Sequence, residues 1–202
     1  SSIFRSFILT DLYESKPLKI DDIQGEKKDQ ITAQSLRSLV LENNINSHTT
    51  ISAIAGTAIS TRMLSLPFDR KKVEKVLPFE LENYLPFNIA DLIIDFQTIN
   101  ETKKHTSLLA VAVKKNVIET HLKYFEGTGL DPRQIDVDSF SLLNVSNMLD
   151  IAPDESIAII DIGHSKTIIS IISAGMLSST RTLFTAGKNL TNALRLKMEL
   201  TY

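Results

Sequence analysis

The chain has 202 residues, of which 43% are hydrophobic and 23% charged, a composition that supports a folded core and excludes a disordered or low-complexity chain. A formal net charge of −2, with no basic stripe interleaved with aromatics, removes the electrostatic footprint of a DNA or RNA surface, so no nucleic acid is expected as a partner. The absence of cysteine excludes disulfides, iron–sulfur clusters and thiolate zinc sites, and fits a reducing, cytoplasmic setting.

No apolar run approaches the roughly 20 residues that cross a bilayer, and no leader resembles a signal peptide. The chain opens Ser1-Ser2-Ile3 and ends Leu200-Thr201-Tyr202 within a helical pattern, which reads as a fragment cut at both ends. Residues 3–9 are rich in β-formers, and residues 18–20, after the turn Ser15-Lys16-Pro17, read as their hairpin partner. The polar residues 21–29 lead into a helix over residues 30–42, spaced by Ile31, Leu36, Leu39 and Val40 and ended by Asn43-Asn44. Residues 50–55 and 59–66 read as strands around the Gly56-Thr57 turn, the second closed by Pro67.

Asp69 is placed to cap an amphipathic helix in which Val73, Val76, Leu77, Leu81 and Leu85 share a face. Pro78 lies in its middle, where a lost N–H and a ring clash cost about 3 kcal/mol, so a kink or two short helices is expected before Pro86. Residues 92–99 and 106–113 are two β-rich runs joined by the polar stretch 100–105, an expected antiparallel pair. Helical spacing returns over residues 115–125 and stops at Gly127 and Gly129. A short strand at residues 135–137 precedes a helix at 139–149, capped by Asp138 or Ser139. Beyond Pro153-Asp154 come strands at residues 157–161, 167–173 and 176–183 and a helix from Gly187, an order that starts a new sheet layer.

The stretch Asp161-Ile162-Gly163-His164-Ser165-Lys166-Thr167 joins two of those strands. A strand ending in Asp-x-Gly brings a carboxylate and a glycine to one tight bend, where backbone N–H groups approach an anion and the carboxylate orients Mg²⁺ through water. Asp161 is the candidate for metal water, and Gly163, Ser165 and Thr167 are candidate donors to phosphate. Taken alone, the heptapeptide is more often a plain hairpin turn. Gly187-Lys188 is no P-loop, since Thr182 stands where that motif needs glycine. His48, His105, His121 and His164 lack metal spacing. Glu80 and Glu82 point to different sides of a helix, and no Gly-x-Ser-x-Gly elbow or cysteine nucleophile exists, so no catalytic residue is assigned.

Two blocks carry a family likeness. Arg62-Met63-Leu64-Ser65-Leu66-Pro67-Phe68, then Val76-Leu77-Pro78-Phe79-Glu80-Leu81-Glu82-Asn83-Tyr84-Leu85-Pro86-Phe87 and Asp95-Phe96-Gln97, resembles the PilM and GspL families of type IV pilus and type II secretion machines. Ile160-Asp161-Ile162-Gly163 through Thr167, with Arg181 and Ala186-Gly187-Lys188-Asn189-Leu190-Thr191, is similar to the strand, Asp-Ile-Gly, strand order of the same actin-like fold. The phrase from Leu77 to Glu82 leans toward the GspL side.

The resemblance implies an α/β fold with mixed sheets, of the actin-like ATPase (ribonuclease H-like) type. It implies a first lobe (1A-like) at residues 1–66 and 129–152, an inserted subdomain (1C-like) at 67–128, and an incomplete second lobe (2A-like) at 153–202. Ser1 and Ser2 would be the tail of a first phosphate loop, opposite Asp161, with ATP and Mg²⁺ as the implied ligands. The function implied first is a cytoplasmic scaffold at the inner membrane, reached through partners or a spanning segment elsewhere. It would couple a secretion or pilus motor ATPase to membrane-anchored GspM-like or PilN-like proteins, with a homodimer among the implied assemblies. The alternatives are a PilM-like ATP-binding protein or weak ATPase, and an FtsA-like cell-division protein.

Overall fold

In the computed structural model the described residues are 23–46, 49–146, 149, 152, 155–173 and 175–199. The expected hairpin of residues 3–9 and 18–20 lies outside them. They fall into two compact units, one of residues up to Ile54 together with Ala58–Ile135, the other of Ala55–Thr57 and the residues from Asp136 on.

In the first unit, helix α1 (Glu26–Glu42) begins ahead of the expected start at Gln30. Gly25, at φ 63°, turns the chain into it, and Glu26 and Asp29 place negative charge against the positive end of the helix dipole. Its end is as expected: the Asn43 side-chain amide donates to the Leu39 carbonyl at 2.9 Å, and Asn44 adopts a left-handed conformation at φ 51°. Strands β1 (Thr50–Ile54) and β2 (Ile59–Leu66) flank a short 3₁₀ turn, Gly56–Ala58. They do not pair with each other. β1 pairs with β5 (Pro132–Val137), whereas β2 joins β3 (Leu92–Thr102) and β4 (His105–Lys114) in a three-stranded antiparallel sheet of order β2-β4-β3.

The β3–β4 hairpin appears where expected but extends further, to a Lys103-Lys104 turn between paired Thr102 and His105. Helix α2 (Arg70–Glu82) packs its apolar face on this sheet. Val73, Leu77 and Leu81, at i, i+4 and i+8, are buried with Leu66, Leu108 and Ala110. The Asp69 carboxylate accepts from the Lys72 N–H at 3.0 Å, which is the predicted cap. Pro78 does not divide the segment into two helices. Each buried leucine or valine contributes about 1.5–3 kcal/mol, so the residues on either side of the proline offset its cost of about 3 kcal/mol.

Helix α3 (Lys115–Lys123) is tied to its neighbours by polar contacts at its end. The Tyr124 hydroxyl donates to Asp29 at 2.6 Å, and His121 Nε2 lies 3.0 Å from Ser52 Oγ. Burial, with the Asp29 hydrogen bond and charge, pushes the Tyr124 phenol up to about 12, and burial lowers His121. Gly127, at φ 70°, stops the segment where Arg37 donates to the Glu126 carbonyl at 2.9 Å. A Cβ at Gly127 would stand 2.4 Å from the Arg37 guanidinium.

The second unit holds α4 (Asp138–Ser146) and an antiparallel meander of β6 (Ser156–Ile162), β7 (Thr167–Ser173) and β8 (Met176–Leu183), followed by α5 (Gly187–Met198). The central strand is buried at Ile168, Ser170 and Ile172, and α4 packs against β7 and β8. The edge strand β6 leaves Ile160 and Ile162 exposed at 57% and 69%, and α5 leaves Leu190, Leu194 and Leu196 exposed.

Leu77→Ala is expected to lower the unfolding free energy by about 2–5 kcal/mol through lost burial and a cavity, while Phe79→Ala, at a side chain 71% exposed, shifts it by less than about 0.5 kcal/mol. Urea titration of both variants measures the difference.

Candidate functional site

The hairpin between β6 and β7 carries the sequence-predicted residues. Ile162 pairs with Thr167, and the loop between them is closed by the Gly163 N–H donating to the Lys166 carbonyl at 3.0 Å. Glycine is favoured at position 163 by this close approach, because a Cβ there would stand 3.0 Å from the Lys166 carbonyl oxygen, tighter than ordinary contact. Asp161 lies one position further along β6, opposite Ile168, and is exposed. Ser165 is exposed on the loop. Thr167 is buried, and its hydroxyl donates to the Thr185 carbonyl at 2.7 Å, so that proton is spent within the fold. Ser1 and Ser2 lie outside the described residues.

The start of α5 rests on this loop. The N–H groups of Gly187 and Lys188 donate to the carbonyls of Gly163 and His164 at 3.0 and 2.8 Å, satisfying two donors that a helix start leaves without intrahelical partners. Asn189 Oδ1 accepts the Ala186 N–H at 2.9 Å and fixes the preceding turn. A Cβ at Gly187 would approach the Gly163 carbonyl to 3.2 Å, so a second glycine keeps helix and loop in contact. The Gly187-Lys188 pair, which is no P-loop, therefore has a structural role beside the hairpin.

Two further residues were not legible as part of the site. Lys166 forms an ion pair with Asp138, and the side chains are 27% and 28% exposed. The other carboxylate oxygen of Asp138 accepts the Gly56 N–H at 2.8 Å. Asp138 was expected to cap α4 unless Ser139 did so. It is instead the first helical residue, and its carboxylate serves Gly56 and Lys166. The tight fit of Gly56, whose Cβ would lie 3.1 Å from Asp138 Oδ1, is the only trace of this contact in the composition of that turn.

Chemically, the hairpin offers one exposed carboxylate at a strand end, a glycine-closed loop and an exposed hydroxyl. Among the described residues no group of three or more His, Cys, Asp or Glu stands together as a metal site. A Mg²⁺ at Asp161 would be held through that one carboxylate, with water and phosphate oxygens completing the shell, which suits the way this ion retains water. The residues present are compatible with such a group.

The family model described as type IV pilus assembly protein PilM matches residues 6–202. This chain belongs to that family. The lean of the Leu77 to Glu82 phrase toward GspL is corrected by this match. The chain is similar to a solved structure described as the PilM-PilN type IV pilus biogenesis complex, at 24% identity and a TM-score of 0.74, over 84% of this chain and 52% of that one. It is also similar to the cytoplasmic domain of EpsL, an inner membrane component of the type II secretion system of Vibrio cholerae, at 12% identity and a TM-score of 0.53, over 75% of this chain and 56% of that one. The chain thus spans about half the length of the solved structures it resembles. The fold is of the actin-like ATPase type, as the sequence likeness implied.

Gly163→Ala is expected to displace the loop carbonyl and destabilise the protein by about 1–3 kcal/mol, whereas Ser165→Ala at the exposed position changes stability by less than about 0.5 kcal/mol. Thermal unfolding of the two variants distinguishes them.

Proposed function

We propose that this chain is an actin-like scaffold on the cytoplasmic side of a type IV pilus inner-membrane platform. There it associates with a membrane-anchored PilN-like protein and relays the movement of a motor ATPase. The observation that supports this reading best is the family match over residues 6–202, joined by the likeness to a PilM–PilN complex across 84% of the chain. Among the described residues no helix is long and apolar enough to cross a membrane, and attachment is proposed through partners or a spanning segment elsewhere in the protein. The proposed organisation keeps a first lobe at residues 1–66 and 129–152, an inserted subdomain at 67–128 and the start of a second lobe from 153. Within it, the sheet β2-β4-β3 and helix α2 have a core of their own, and their outer faces are the docking surfaces proposed.

A second reading is favoured by the hairpin geometry. We infer that Asp161, Gly163 and Ser165 border the phosphates of a bound Mg-ATP, with Asp161 acting on the metal through water. The glycine-closed loop and the exposed carboxylate beside it support this. The scaffold and the nucleotide site are compatible, since a bound ligand that prefers one arrangement of an actin-like fold biases what its partners meet.

Full-length protein is expected to form a stable complex with the PilN-like protein encoded by the same organism, measured by co-purification and isothermal titration. Failure to bind under conditions where both are folded overturns the scaffold reading. Mg-ATP at about 100 times its Kd is expected to add about 2.7 kcal/mol to the stability of the full-length protein, and Asp161→Ala to abolish the gain. A thermal shift assay with millimolar Mg-ATP reads both, and an unshifted wild-type protein overturns the nucleotide reading.

A further inference from the structure

The Asp138–Lys166 pair stands apart from the residues through which the sequence announced an anion site. Lys166 belongs to the loop itself: its carbonyl closes the turn onto Gly163, and it lies between exposed Ser165 and buried Thr167. Its ammonium is bonded to a carboxylate from the start of α4, which also holds the Gly56 N–H. Both partners remain about a quarter exposed, so water and solutes reach the pair.

We propose that this ion pair is a latch set against anion binding, in which Asp138 competes with phosphate oxygens for Lys166. The inference rests on the nucleotide reading above and names a residue and a regulation that it lacks. An ammonium has three donors and no acceptor, and a flexible four-carbon stem lets it exchange a carboxylate for a phosphate without backbone movement. When Lys166 turns to phosphate, Asp138 loses its cation but keeps Gly56. The state of the loop thereby reaches α4 and the turn at residues 55–57, which the Gly56 N–H ties to the Asp138 carboxylate. Lys166 is the phosphate ligand of this scheme, and Asp138 is the residue that positions it.

The test is isothermal titration of Mg-ATP into full-length wild-type protein, Asp138→Asn, Lys166→Met and the double variant. Asparagine keeps an oxygen that accepts from the Gly56 N–H, so the local fold is retained while the charge is removed. Asp138→Asn is expected to bind about fivefold more tightly and Lys166→Met about fivefold more weakly, with the double variant matching Lys166→Met. A carboxylate that acts only as a structural anchor gives unchanged or weaker binding in Asp138→Asn, and one that acts only by long-range repulsion gives a gain that persists in the double variant. Either result overturns the latch while wild-type binding leaves the nucleotide reading standing. Absence of binding in all four proteins overturns that reading and the latch together.

Discussion

The carboxylate of Asp138 is the constraint on which the second unit is organised. One of its oxygens takes the backbone N–H of Gly56, 82 positions away, and the other pairs with Lys166, 28 positions away. Both bonds involve an ionised acceptor, which makes them stronger than bonds between neutral groups. From Lys166 the connection passes through the closed loop at Gly163 to the first two N–H groups of α5. A single side chain at a helix start therefore links the 3₁₀ turn, the candidate anion loop and the last described helix. Apart from the Asp138–Lys166 pair, each joint in this series is made to a backbone group, and at Gly56, Gly163 and Gly187 a Cβ would stand 3.0–3.2 Å from its neighbours, tighter than ordinary contact.

The first unit is organised differently. Its sheet and α2 are joined by apolar burial, with Val73, Leu77 and Leu81 spaced to lie along one face of the helix. Such packing tolerates a local fault better than a chain of specific polar contacts. Pro78 removes one helical hydrogen bond, yet α2 runs through it because the adjoining leucines remain anchored to the sheet. At the other end of this unit the ties are polar again: Tyr124 to Asp29, His121 to Ser52 and Arg37 to the Glu126 carbonyl.

What was legible in the sequence follows from this division. Helical periodicity over α2 and the β-rich runs of β3 and β4 are local signals, and the elements appear where those signals place them. The strands β6, β7 and β8 were equally plain, as was the cap at Asp69, whose partner is three residues away. Pairing across long separations was not. β1 and β2 look like neighbours around a glycine turn, but β1 takes β5 as its partner, a choice made by tertiary packing and invisible in either segment. Asp138 has the composition of a cap, and no local rule distinguishes a carboxylate that caps its own helix from one recruited by a lysine 28 residues later. Of the candidate site, Asp161 and Gly163 could be picked out because a strand, an acid and a glycine stand together. Lys166 could not be assigned its carboxylate, since that contact depends on how α4 meets the meander.

The exposed isoleucines of β6 bear on how this polypeptide behaves in solution. Among the described residues β6 has a partner on one side alone, where Ile160 and Ile162 are exposed, and α5 adds Leu190, Leu194 and Leu196 to the exposed apolar area. A strand of this kind is a template for pairing with a neighbouring molecule, with no charged side chain between the two isoleucines except Asp161 to discourage it. An edge strand of this composition favours self-association wherever it is left uncovered, and Asp161 is the negative charge that limits such edge-to-edge stacking.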